Sequence, residues 1–404
     1  NADVAIKDGK IVKIVKQLNE ESVETINAEG LIVAPGFIDS HGHTDYTFFY
    51  DTDYSNLIEQ GITTEMCGMC GNLAYPTPRD SDVAGCLISM LPDDKRDIVK
   101  VITKPLTNMT AVFNYINSKP LGVNLGVYVG HGGVRIAVMG QDNRKPTDKE
   151  IDEMKAHVVE AMENGAIGIS TGLDYLPAAY AQEDELIELC KVAKKYDGTY
   201  STHMRNEGDE VVKAVEETIR IAKAVNIPAV ISHHKVIGLI NKGKSIETLK
   251  LITEANKNGF KIRADMYPYL GGVSTPFLLI PRDLFSGGYS DVSNAISEMN
   301  SEQREKLKVK IKEYYKSAKD YKTNGLFDGL YIYASKTLPD CVNRTFAEVA
   351  EERNKDEFDV FLDILAESKG DISCILKLQN EWDMENIMKN EYVCIGTDGA
   401  SRSQ

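Results

Sequence analysis

Apolar and polar residues alternate between residues 3 and 34, around two turn signals, Asp8-Gly9 and Ala28-Glu29-Gly30. Side chains two apart share one face of a strand, so this stretch is expected to form short antiparallel strands, a small β appendage. From Gly36 the rhythm changes. Short apolar runs are each followed by a longer stretch with apolar residues three and four apart, and that repeated strand-then-helix order predicts a parallel sheet. The runs fall near 36–40, 62–67, 124–130, 166–171, 198–203, 228–232, 261–266 and 391–397. Eight such runs predict a TIM-like (β/α)8 barrel, an α/β fold whose active site belongs at the carboxyl ends of its strands.

Thr147-Asp148-Lys149-Glu150 reads as the cap of an amphipathic helix over 148–163, and Glu183–Tyr196 and Gly208–Val225 carry the same helical spacing. Between the seventh and eighth strands lies an insertion, about 267–390, which opens in a Gly/Pro-rich loop and continues as charged helices. Excursions of this kind above a barrel form lids or substrate walls. The expected division is residues 1–35 as part of a small β domain and 36–404 as a barrel with a lid-like insertion. Asn1-Ala2-Asp3-Val4-Ala5-Ile6 begins inside a strand pattern without an initiating Met, and only six residues follow Asp398. The remainder of the small domain is therefore expected beyond the C-terminus of this chain.

The chain has 404 residues, enough for a large buried core. Its 46 Lys and Arg against 61 Asp and Glu leave a net charge of −15, which argues against nucleic acid or an anionic membrane as partner. A local basic pocket for a small anionic molecule stays open. No apolar run approaches the roughly 20 residues a membrane helix needs. The seven cysteines, Cys67, Cys70, Cys86, Cys190, Cys341, Cys374 and Cys394, are scattered and odd in number. That pattern reads as reduced thiols and a cytoplasmic setting. Oligomeric state is not legible.

Candidate chemistry sits at the strand ends. Gly36-Phe37-Ile38-Asp39-Ser40-His41-Gly42-His43 ends a strand pattern in two alternate histidines, which can converge on one metal ion; a surface accident or a hydrogen-bonded core pair gives the same spacing. Cys67-Gly68-Met69-Cys70 is a CxxC, which alone suits a redox pair, half of a zinc ribbon or two ordinary thiols. No second CxxC follows. At the end of the second strand, beside the HxH, Cys70 reads best as a thiolate metal ligand.

His203 and His233 each close an apolar run, on neighbouring strands. A lone strand-end histidine is more often a satisfied polar residue than a ligand, but two on adjacent strands are harder to dismiss. If His233 faces the barrel axis, His234 faces away by alternation, and His157 lies within a helical pattern as a structural residue. Asp398, followed by Gly399, ends the last strand, where it serves either as a turn or cap residue or as a general base aimed at metal-bound water.

Together these residues resemble the amidohydrolase superfamily and, within it, the N-acyl-D-amino-acid deacylases, or D-aminoacylases. The likeness runs from Ala2-Asp3-Val4-Ala5-Ile6-Lys7-Asp8-Gly9 through the HxH segment to Gly396-Thr397-Asp398-Gly399. Its more specific part comprises Cys70, Val129-Gly130-His131-Gly132, Ser170-Thr171-Gly172-Leu173, Thr202-His203-Met204-Arg205, Ser232-His233-His234-Lys235 and Tyr267-Pro268-Tyr269. Hydantoinases and dihydroorotases bridge two metals with a carboxylated lysine on the fourth strand. That strand here, Ala166-Ile167-Gly168-Ile169-Ser170-Thr171-Gly172, has no lysine.

The resemblance implies a tight zinc on Cys70, His203 and His233, and a weaker second site of His41, His43 and Cys70. It implies that metal-bound hydroxide attacks the acyl carbonyl while Asp398 acts as general base and then acid. Lys235 would meet the substrate's α-carboxylate, with Tyr175, Tyr267, Ser274 and His131 as further substrate contacts. Tyr175, Tyr267 and Ser274 also read as loop packing or turn residues, and His131 as structural. Relatives carry a further carboxylate-binding arginine in a His-Pro-Arg run after the catalytic Asp; that run is absent, and Arg402 is not in the matching context. The implied activity is hydrolysis of a linear N-acyl-D-amino acid, a small-molecule substrate. A cyclic-amide hydrolase or dipeptidase of the same superfamily is the alternative enzyme. A non-catalytic scaffold paralogue is the alternative of another class, and it predicts lost ligands.

Overall fold

The computed structural model describes residues 2–73, 75–76, 95–106, 108–281, 284 and 287–400, and Cys86 and Arg402 lie outside them. The chain divides into two units, Asn1–Gly36 and Phe37–Gln404. In the first, Asp3–Lys7 pairs antiparallel with Lys10–Val15 across a turn at Asp8 and Gly9, both with positive φ. This is the two-residue turn whose twist suits a hairpin. The strands expected between residues 16 and 34 do not form among the described residues. The Ala28-Gly30 turn closes, with Leu31 N donating to Ala28 O at 3.0 Å, but the segments beside it find no ladder to join.

In the second unit eight parallel strands follow one another in sheet order: Phe37–Asp39, Ile62–Cys67, Asn124–Gly130, Gly168–Gly172, Thr199–His203, Ala229–Ile231, Ile262–Met266 and Val393–Ile395. They are the first to eighth barrel strands. Helices Asp148–Glu163, Glu183–Lys195, Val211–Val225 and Ser245–Lys257 connect strands on the outside. Their apolar faces and the strands share one core, which includes Val127, Ile169, Tyr200, Ile231 and Ala264. The Thr147 capping box forms as its sequence predicts.

No backbone ladder joins the eighth strand to the first along their length. Side chains close the ring: Thr397 donates its backbone N and its Oγ1 to Asp39, at 2.9 and 2.6 Å. Just above, Gly399–Ala400 pairs in parallel with Gly42–His43, and Asp398 N donates to His41 O at 2.8 Å. The seam of the barrel is thus where the HxH and Asp398 meet.

The insertion is more than charged helices. Strands Gly272–Ser274, Ser373–Leu376, Leu330–Ala334 and Arg344–Thr345 make an antiparallel sheet, and with helices such as Tyr289–Ser297 and Glu357–Ser368 they enclose a separate core around Phe327, Phe346, Phe358 and Phe361. Strands of two to five residues carry too little alternation to be read from sequence. No described helix is long and apolar enough to cross a membrane.

Candidate metal centre

All six residues expected to carry metal chemistry come together at the carboxyl ends of the strands. Cys70 Sγ lies 3.2 Å from His233 Nε2 and 3.5 Å from His41 Nε2. Three donor sets overlap there: His41, His43 and Cys70; Cys70, His203 and His233; and His41, His233 and Asp398. In each set the donor atoms lie within 4.8 Å of one another. Cys70 belongs to two of them and can serve as a shared ligand.

The donor set fits a metal on its own geometry. His203 is buried, yet neither ring nitrogen has a hydrogen-bond partner among the described residues. An imidazole left that way is costly unless a metal ion takes its lone pair. One thiolate with imidazoles at this spacing is the chemistry of zinc.

Backbone strain aims the ligands. Cys70, His233 and Asp398 have φ of 54°, 36° and 49°, a region non-glycine residues avoid at a cost of about 1–3 kcal/mol each. Surrounding contacts hold them there. The loop carrying Cys70 turns at Gly68 and Gly71, both at positive φ, and a Cβ on Gly68 would stand 2.2 Å from Tyr128 O. Ser170 of the fourth strand, where a bridging lysine would be sought, instead accepts Gly71 N at 3.1 Å and donates to Gly68 O. His233 N donates to Asp265 Oδ1 at 2.6 Å.

Electrostatics separate the two cysteines of the CxxC. Burial pushes the Cys67 thiol well up, reinforced by Asp45 and Glu65. Burial also opposes ionisation of Cys70, but His233, His41 and His203 overcome it and hold that thiol well below its ordinary value. Asp398 is likewise held low: its burial is outweighed by His41, His43 and His233. Its Oδ1 lies 3.2 Å from His43 Nε2 and 3.5 Å from His41 Nε2.

Three carboxylates behind the histidines were not foreseen. Asp265 Oδ1 is 3.1 Å from His41 Nδ1, Asp45 Oδ2 is 3.4 Å from His43 Nδ1, and Glu207 Oε1 is 2.8 Å from His233 Nδ1. Each stands behind a ring whose other nitrogen faces the donor cluster. Asp265 is the penultimate residue of the seventh strand, close to the strand ends near which His203 and His233 stand.

Among the expected substrate contacts, Lys235 is buried and its Nζ lies 2.7 Å from Glu207 Oε1 and 5.3 Å from the centre of the Tyr267 ring. Tyr267 OH accepts from Gln379 Nε2 of the insertion at 3.2 Å. The Tyr175 ring centre is 4.6 Å from that of His203, and Ser274 lies beside its hydroxyl. His131 is placed differently: its Nε2 lies 2.8 Å from Glu185 Oε1, on the helix side of the barrel wall. His234 turns outward to Thr248 Oγ1 at 2.9 Å, and His157 bonds Tyr75 OH at 3.2 Å, each in the structural place its pattern indicates.

A barrel whose candidate metal donors converge in overlapping sets at its strand ends defines the class, a barrel protein with a metal centre at the carboxyl ends of its strands. Comparison with known proteins gives the branch. The amidohydrolase family profile matches residues 24–257. The chain is 33% identical over 398 residues to D-aminoacylase of Alcaligenes xylosoxydans xylosoxydans, covering 98% of this chain and 70% of that protein. It is 35% identical over 281 residues to N-acyl-D-glutamate deacylase of the same organism, covering 69% of this chain and 55% of that protein. Among solved structures, a D-aminoacylase studied for its binuclear metal centre superposes with a TM-score of 0.77 at 30% identity, covering 98% of this chain and 72% of that one. N-acyl-D-glutamate deacylase of Bordetella bronchiseptica, with zinc and a phosphonate mimic of the tetrahedral intermediate, gives 0.76 at 28% identity over the same shares of the two chains. This chain belongs to the amidohydrolase family, in its D-aminoacylase branch.

Proposed function

We propose that this chain is a zinc-dependent deacylase that hydrolyses N-acyl-D-amino acids to a D-amino acid and a carboxylic acid. The observation that carries the reading is Cys70, a low-pKa thiol shared by two donor sets, with Asp398, also held low, against the same His41 nitrogen. Cys70, His203 and His233 would hold the tight zinc, and His41 and His43 would complete a weaker site with Cys70. Zinc, when bound, supplies Lewis acidity that activates water and the acyl carbonyl.

Asp398 takes the proton of the attacking water at Oδ1 or Oδ2 and returns it to the departing amine nitrogen. Its depressed pKa keeps it ready as a base in the resting site. Lys235, kept cationic by Glu207, offers the charge that an α-carboxylate needs. Tyr175 and Tyr267 stay neutral because burial raises both phenols, so each offers a hydroxyl to the substrate, with Ser274 beside Tyr175. The lysine-free fourth strand disfavours the ring-opening alternative, and the full set of ligands disfavours a scaffold.

A net charge of −15 supports a small molecule rather than a polyanion as partner. Six described cysteines are free thiols, which supports a cytoplasmic setting. The test is release of free amine from paired N-acetyl-D- and N-acetyl-L-amino acids by the zinc-loaded protein and by Asp398→Asn. Cleavage of the D series that the variant loses is expected. Zinc binding with no cleavage of either series would overturn the deacylase reading and turn attention to cyclic amides and dipeptides.

A further inference from the structure

The loop Leu173–Ala181, which follows the fourth strand, is gripped from two sides by arginines that the chemistry above does not use. Arg135, fully buried on the helix His131–Met139, donates Nε to Pro177 O at 3.2 Å and Nη2 to Arg144 O at 2.9 Å. Its Nη1 pairs with Glu185 Oε2 at 3.2 Å, while Glu185 Oε1 takes His131 Nε2 at 2.8 Å. His131 and Arg135 are one helical turn apart, so one carboxylate meets both. From the other side Arg205 spreads its fork over Ala179 O and Ala181 O, both at 2.9 Å, and pairs with Glu217 Oε1 at 2.9 Å.

Tyr175 lies on the same loop, ahead of the held carbonyls of Pro177, Ala179 and Ala181. Its backbone N donates to Gly172 O at 3.0 Å and its O accepts Ala179 N at 2.7 Å, so its ring position against His203 is tied to the part of the loop the arginines hold. Desolvating guanidinium groups and carboxylates is expensive, and an apolar contact would cover the loop as well. What the forks add is direction: planar, charge-assisted bonds to named carbonyls fix where the backbone runs.

We propose that Arg135–Glu185 and Arg205–Glu217 are positioning pairs that hold the 173–181 loop so that Tyr175 is presented to the substrate beside His203. His131 acts within this arrangement by orienting Glu185. The proposal rests on the deacylase reading and adds to it the residues that set the geometry of the substrate wall.

The test uses the zinc-loaded full chain with Arg135→Met/Glu185→Gln and Arg205→Met/Glu217→Gln, each made with and without Tyr175→Phe. The amide introduced by Glu185→Gln retains an acceptor for His131. Expected is faster amide hydrogen exchange across 173–181 at unchanged zinc content. Also expected is a roughly tenfold loss of kcat/KM on an N-acetyl-D-amino acid that shrinks below about twofold when Tyr175 is already Phe. Unchanged exchange, or the same fold loss in both Tyr175 backgrounds, overturns the proposal. Should a double variant not fold, Arg135→Lys and Arg205→Lys keep the charge but not the fork, and the same pattern is required of them. Should the parent protein cleave no N-acyl-D-amino acid, the deacylase reading falls, while hydrogen exchange still decides whether the pairs hold the loop.

Discussion

Glu207 and His233 are joined by a contact of 2.8 Å between Oε1 and Nδ1, and the same carboxylate oxygen lies 2.7 Å from Lys235 Nζ. One buried oxygen therefore meets both an imidazole of the donor cluster and the Lys235 ammonium. Although burial opposes its charge, Glu207 is kept ionised by Lys235, His203 and His233. Glu207→Ala is expected to weaken zinc binding about 10–100-fold, with Glu207→Gln between it and the parent. Competition with a calibrated chelator measures this, and parental affinity in Glu207→Ala would refute it.

Metal stoichiometry follows from the sharing of Cys70. His43 enters one of the three donor sets, Cys70 two. His43→Ala should retain about one zinc per chain after dialysis, whereas Cys70→Ala should retain almost none. Metal analysis of the dialysed variants decides it; equal retention in both would mean that the thiol is not the shared ligand.

The glycine between the two histidines has a steric reason. A Cβ on Gly42 would stand 1.7 Å from Glu65 Oε1, a carboxyl buried on the second strand. Gly42→Ala should lower stability by about 1–3 kcal/mol and disturb the HxH turn, as overpacking of a filled interior does. Denaturant unfolding reads the loss, and Gly42→Ala/Glu65→Ala should recover part of it. No recovery would place the strain elsewhere.

Glu65 also predicts a pH dependence. Burial, helped by Asp39 and Asp45 and opposed by the Thr44 hydroxyl and His43, pushes it from 4.5 to about 8. The folded state then binds more protons than the unfolded one between those values. The favourable contribution is complete below the unfolded pKa and is lost as pH rises through the folded one. Stability should therefore decline from mildly acidic to mildly alkaline pH, and Glu65→Gln should flatten that decline and be the more stable form at alkaline pH. An identical slope in the variant, measured by urea unfolding at stepped pH, would rule this out.

The legible part of the site was the part encoded by residue type at a strand end. His41, His43, Cys70, His203, His233 and Asp398 each stand at or just past the end of an apolar run, and in a parallel barrel all such ends share one face. Asp265, Asp45 and Glu207 were not found because they are 3 of 61 acidic residues, and nothing local marks a carboxylate as buried behind an imidazole. His131 directly follows a strand as several of the donor residues do, yet the chain has already entered a helix there and its ring meets Glu185.

The sequence by itself determined the strand order, the outer helices and which residues gather in the donor cluster, because period and residue type are local properties of the chain. Tertiary structure decided which thiol of the CxxC is the low one, which carboxylate serves which histidine, and that Lys235 is tethered to Glu207. It also decided that the insertion contains a sheet and a core of its own. Those outcomes depend on burial and on contacts between residues far apart in the chain, such as Cys70 with His233 and Asp39 with Thr397, which exist only once the barrel has closed.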